Sequence, residues 1–237
     1  MIPELPVYIA LLFGLTTLAT LLLFIWTLRS AANNVTPRKA NIIILGVLAW
    51  LLIQSALALN NVYSNNVSAL PPKLLVLGIL PPLLLIILLL VTKSGRLFVD
   101  SLPLKQVTYL NTVRITVEIS LWLLYLNKAV PKLMTFEGGN FDILSGLTAP
   151  LVAYFGITKG VMNRKVLLAW NFICLALLIN IVCRALLSTP LPIQKLAFDQ
   201  PNVAILIFPY VWLPAFIVPL VLFGHLTSIR RLIRGRE

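Results

Sequence analysis

Charge is what this chain has least of. Only 11% of its 237 residues are Asp, Glu, Lys or Arg, where soluble domains carry roughly a quarter. Just 7 of them are acidic. So little charge cannot furnish a water-facing surface, and a soluble fold is excluded. Histidine occurs once, as His225, which excludes the three-histidine zinc site of membrane-embedded hydrolases and a bis-histidine haem. Cysteine occurs twice. Cys174 and Cys183 lie nine residues apart on one helix, half a turn out of phase, so they cannot bond to each other and have no metal-site spacing.

Apolar sequence fills the space that charge leaves, at 59% of residues. Uncharged runs reach the roughly 20 residues that one lipid crossing needs. Seven crossings are expected, at 5–28, 41–60, 74–92, 107–130, 143–162, 166–188 and 204–227. Each must be a helix, because lipid offers backbone groups no partner outside a helix or a closed barrel. No stretch is long or polar enough for a second domain. The expectation is an all-α, polytopic seven-transmembrane-helix bundle over 1–237.

The basic residues then orient the bundle. Arg29, Arg38 and Lys39 follow the first crossing; Lys93, Arg96 and Lys105 follow the third; Lys159, Arg164 and Lys165 follow the fifth. Arg230, Arg231, Arg234 and Arg236 follow the seventh. The opposite side holds only Lys73, Lys128, Lys132 and Lys195. An outside N-terminus and a cytoplasmic C-terminus follow. The net charge of +12 is therefore topology signal plus attraction to anionic headgroups, at about 1 kcal/mol per basic residue near the surface. Nucleic acid is not the expected partner. The N-terminus lacks a basic n-region and carries Glu4, so no cleaved signal peptide is expected.

A faint internal repeat runs at an offset of 120. Leu48-Ala49-Trp50, with Ile53, Ala56, Leu57 and Asn60 behind it, recurs as Leu168-Ala169-Trp170, with Ile173, Ala176, Leu177 and Asn180. A parallel 3+1+3 duplication, the plan of SWEET-type sugar transporters, has this form. Chance repetition of abundant residues is the competing account. The proline-glutamine motif of that group's relatives is absent.

Charges inside lipid cost about 2.5–3.5 kcal/mol each on insertion scales, so Arg114 and Glu118 in the fourth crossing call for an account. They sit four apart on one face, where they can pair. That face continues through Asn111, Trp122, Tyr125, Lys128 and Lys132. Two readings stand: a self-neutralising ion pair that fixes the helix, or a proton, ion or ligand site facing an internal polar cavity. In the sixth crossing Asn180 and Arg184 share a face, while Asn171 sits opposite. Arg184 either snorkels to the surface or pairs with Glu137 or Asp142. The loop holding Glu137, Gly138, Gly139, Asn140 and Asp142 is the densest polar block. Asn140 or Asp142 is placed to cap the fifth helix, and Glu137 to line a pocket mouth. Pro209, Pro214 and Pro219, with Trp212 among them, predict a kinked seventh helix with freed carbonyls.

Enzyme readings fare poorly. Ser145 is expected at the outer end of the fifth helix and His225 at the inner interface, about 30 Å apart, so no serine–histidine dyad is expected. The seventh helix has no lysine for a retinal Schiff base.

The stretches Val117-Glu118-Ile119, Lys128-Ala129-Val130-Pro131, Phe136-Glu137-Gly138 and Asn140 to Pro150 resemble a family of bacterial seven-helix inner-membrane proteins. Trp170 to Cys174 and Phe198 to Asn202 are similar to it as well. No activity is assigned to that family, so the resemblance implies a topology and a bacterial inner membrane but no substrate.

The function expected is binding or moving a small solute through an outward-opening polar cavity. Its expected lining is Arg114, Glu118, Tyr125, Lys128, Glu137, Asn140, Asp142, Asn180, Arg184 and Trp212, with no metal, no cofactor and no catalytic residue. The alternative is a seven-helix sensor or assembly partner signalling through its basic cytoplasmic face. A lipid-modifying enzyme using Glu137 and Asp142 stands last.

Overall fold

A computed structural model describes residues 4–31 and 35–235. Among the described residues there is no strand; eight helices carry the fold. They are α1 (Val7–Arg29), α2 (Pro37–Leu59), α3 (Leu74–Val91), α4 (Lys93–Ser101), α5 (104–126), α6 (Ile143–Thr158), α7 (Arg164–Ser188) and α8 (Leu213–Arg234). Five of these, α1, α2, α3, α7 and α8, are long and apolar enough to cross a membrane. α6 is apolar but shorter, and α5 changes to a 3-10 turn at Leu110–Thr112.

α8 is the axis of the bundle. Of its most apolar window 72% is buried, against 17% for α2 and for α3. α7, α5 and α4 all pack on α8, and α1 lies along α5. The principal core joins Phe13, Phe24 and Leu28 of α1 with Leu110, Val117 and Leu124 of α5 and Phe216, Leu220 and Phe223 of α8. α2 and α3 are both mostly exposed.

Two departures from the expected boundaries have local causes. The last helix begins at Leu213 rather than 204, because the preceding residues form a 3-10 turn at Ala204–Leu206 that ends on an extended Ile207 and a turn through Phe208 to Tyr210. It runs on to Arg234 because its final arginines find partners. Arg230 donates to Asp100 at 2.7 and 3.0 Å, Arg234 donates to Asp100 at 3.1 Å, and Arg231 donates to the Leu102 carbonyl. Asp100 belongs to α4, a helix that replaces the loop expected there. Thr92 caps α4 by accepting from the Gly95 amide, and Val99 and Leu102 are buried beneath it. Arg236 lies outside the described residues.

Prolines free carbonyls in two helices, and α2 supplies donors for them. Leu77 O has Pro81 and Pro82 at the positions that would donate in α or π geometry; the Gln54 amide donates to it at 3.0 Å. Ala215 O faces Pro219 four residues on, and the Trp50 indole donates to it at 2.9 Å. These bonds tie the exposed α2 to α3 and α8.

Candidate functional site

The segment from 127 to 142 does not lie wholly on the surface. It sinks into the bundle beside α5, so that Asp142, at the head of α6, lies level with Arg114. From Leu126 back to Arg114 is about 18 Å at 1.5 Å per residue. Thr135 and Asn140 are fully buried on the way down, and Asp142 nearly so. This is why α6 is short: it begins inside the bundle. Irregular backbone is tolerated at such depth only where protein or a cavity surrounds it. Here Arg184 of α7 holds it, donating to the carbonyls of Gly138 at 3.0 Å and Leu133 at 3.2 Å. Gly139 takes a left-handed φ of 87°. A Cβ on Gly138 would run into Lys132 O, so the paired glycines are a requirement of the turn.

The ion pair within α5 is not formed. Arg114 instead meets Asp142 through two parallel bonds, Nε to Oδ2 at 2.6 Å and Nη2 to Oδ1. Its other hydrogens go to Asn111 Oδ1 at 3.4 Å, His225 Nε2 at 3.1 Å and the Cys174 carbonyl at 3.2 Å. A guanidinium has five N–H donors, and all five are accepted. His225 Nε2 faces a donor, so the ring hydrogen sits on Nδ1 and goes to Asn171 Oδ1 at 3.1 Å. Asn171 in turn donates to Leu167 O. Trp170 packs beside the imidazole, with ring centres 6.0 Å apart.

Glu118 is left outside this set. Its Oε1 accepts from Asn140 at 2.6 Å, while Oε2 is buried with no partner. Among the described residues Glu118 makes no ion pair. Asn140 is saturated as a donor, since its second hydrogen goes to Met134 O, and its Oδ1 accepts the Asp142 amide.

A cavity of about 240 Å³ adjoins Glu118 and Asp142. Its walls come from Ile79 and Leu83 of α3, Val117 and Leu121 of α5, Leu178, Ile181, Val182 and Leu186 of α7 and Leu213, Val218 and Leu222 of α8. The lining is apolar apart from the two carboxylates. It is not the polar chamber expected.

The ten expected site residues therefore divide. Arg114, Glu118, Asn140 and Asp142 converge on one buried network. Arg184 reaches the loop, as expected, but bonds its carbonyls rather than Glu137 or Asp142; Asn180 steadies it at 3.2 Å. Glu137 is exposed and accepts from the Trp122 indole at 2.8 Å. Lys128 is exposed and Tyr125 half-buried, and neither touches the cavity. Trp212 points elsewhere, donating to Leu51 O and Ser55 Oγ of α2. Asp142 does not cap α6 with its side chain.

His225 requires the largest correction. It is fully buried, midway along α8. Its separation from Ser145 is also not a bilayer's thickness, because Asp142 and His225 grip the same guanidinium. A serine–histidine dyad is still excluded, now because both imidazole nitrogens are engaged elsewhere.

No curated protein and no solved structure matches the chain. One family model does, over residues 71–233. The match takes in α3 to α8 and every residue of the Arg114 network, and begins after α2. The chain thus belongs to the family described as a domain of unknown function, DUF8737.

Proposed function

We propose that this chain is a polytopic protein of a bacterial inner membrane that binds a small solute inside its helical bundle, with Glu118 as the polar anchor. Seven crossings, formed by α1–α3 and α5–α8, place the N-terminus outside and the basic loops in the cytoplasm, beside anionic headgroups. The cavity then lies in the outer half of the bundle, and α5 stands between two three-helix sets as the offset-120 repeat requires.

The observation that carries this reading is the contrast between two ionisable groups one turn apart on α5. Arg114 has every donor satisfied and is a structural node. Glu118 has a buried oxygen with no donor and lines a cavity. Buried polar atoms are rarely left unpaired without cause, and an ionisable residue at membrane depth marks a functional site by default. An apolar wall facing one carboxyl suits a solute with an apolar body and one hydrogen-bond-donating head, such as a primary amine. An apolar cavity of about 150 Å³ already admits benzene, so about 240 Å³ has room for a ring with a short amine arm.

Benzylamine is a suitable probe. Titrated into the purified full-length chain, it should bind at least about tenfold more tightly than toluene, one tenfold step being about 1.4 kcal/mol. Glu118→Gln should remove that preference while the protein keeps its folded yield. Unchanged preference in Glu118→Gln would sink the assignment.

A further inference from the structure

A second cavity, about 510 Å³, lies between α1, α2, α3, α4 and α8. With the solute site it shares the membrane setting and one wall residue, Pro219. Its lining includes Phe24, Val47, Leu85, Phe98, Phe216 and Phe223, and it contains no charged side chain. Apolar cavities stay dry, and side chains facing a void lose contacts on that side. A hole of this size falls within the usual range of ligand pockets, about 300–1,000 Å³.

Shape limits the occupant. The lining runs from residue 81 to 89 on α3 and from 215 to 223 on α8, about 12 Å of helix rise in each case. Over that length a volume of about 510 Å³ makes an elongated slot. It is wide enough for a hydrocarbon chain. Gly46 and Leu85 line the cavity and are also exposed on the outer face of α2 and α3, so the void opens sideways between these helices.

Charge marks the mouth. Lys39, Ile43, Val47 and Trp50 follow one face of α2 at spacings of three and four, and the last three line the cavity. Lys39 thus stands one turn beyond the apolar lining. It is exposed and makes no ion pair among the described residues. Lys93, likewise exposed, opens the helix that contributes Phe98.

We infer that this cavity holds an acyl chain of an anionic phospholipid, whose headgroup rests against Lys39 and Lys93 at the cytoplasmic rim. Gly46 offers a clean plug, since a Cβ there meets nothing within 4 Å. Native mass spectrometry of the full-length chain, titrated separately with dioleoyl phosphatidylglycerol and dioleoyl phosphatidylcholine, reads the site. The wild type should retain one phosphatidylglycerol, about 25-fold more tightly than phosphatidylcholine, the size of two headgroup–lysine contacts at about 1 kcal/mol each. Gly46→Trp should weaken retention about tenfold or more, whereas Gly46→Ala should leave it unchanged. Lys39→Glu should erase the preference between the two lipids. If the tryptophan variant does not fold, Gly46→Leu fills the same space and carries the same expectation. Equal retention of both lipids by the wild type, or undiminished retention in the plugged variant, overturns the inference. Either failure leaves the benzylamine result at Glu118 untouched.

Discussion

Arg114 on α5 is held by Asp142 at the head of α6, and not by Glu118 one turn along its own helix. The two parallel bonds between guanidinium and carboxylate bring a segment of irregular chain down to the middle of the bundle. Removing one member of a buried ion pair costs about 3–5 kcal/mol, because the other charge is left uncompensated. Asp142→Asn should therefore lower the stability of the purified protein by that order in a denaturation series. A double-mutant cycle should show stronger coupling of Arg114 with Asp142 than with Glu118. The reverse ranking would contradict the pairing.

His225 and Asn171 extend the same network. His225→Phe removes the acceptor for one guanidinium hydrogen and leaves a buried donor unmet, at about 1–3 kcal/mol. Asn171→Leu frees the imidazole Nδ1–H at a comparable cost. Since the two residues share one chain of bonds, the double variant should lose less than the sum of the single variants. Additive losses, measured by the same denaturation series, would show that the contacts act separately.

Gln54 stands in for a backbone donor that proline removes. It bonds Leu77 O and accepts from Tyr63, whose phenol burial pushes up to about 12, keeping it a donor. Gln54→Leu should cost about 1–3 kcal/mol by leaving buried polar groups unsatisfied. Pro81→Ala restores an amide four residues after Leu77 and should recover part of that loss in the Gln54→Leu background. A rescue of zero, read from thermal midpoints of the single and double variants, would rule out the donor role.

Asp100 fastens the end of α8 to α4. Partly exposed ion pairs contribute about 0–1 kcal/mol and are screened by salt. Asp100→Asn should leave global stability nearly unchanged but speed proteolysis near Arg230 to Gly235, with the difference between variant and wild type shrinking at high salt.

Much of the helical order was legible because lipid-length apolar runs leave few choices. α1, α2, α3 and α7 were expected within a few residues of where they lie. The missed features all come from chain that polarity alone misplaces. Glu137 to Asp142 reads as an outer loop because it is rich in glycine and carboxylates. Asn140 and Asp142 are buried instead, while Glu137 stays exposed, because Arg184 donates to the Gly138 carbonyl and Arg114 to Asp142. His225 sits near basic sequence and reads as interfacial, yet α8 continues past it for two turns on the strength of Asp100. Within the site, Glu118 was visible as a charge in an apolar crossing, and Asn140 only as a member of the polar loop. Which carboxylate takes Arg114 was not visible, because four-residue spacing permits one pairing and only tertiary packing reveals the other.

The most direct test is the benzylamine-to-toluene affinity ratio in wild type, Glu118→Gln and Tyr125→Phe. The wild type and the Tyr125 variant, whose residue lies off the cavity, should both show a ratio of about ten or more. The Glu118 variant should fall to about one. A ratio near one in the wild type, or no change on neutralising Glu118, would contradict a solute site built on that carboxyl.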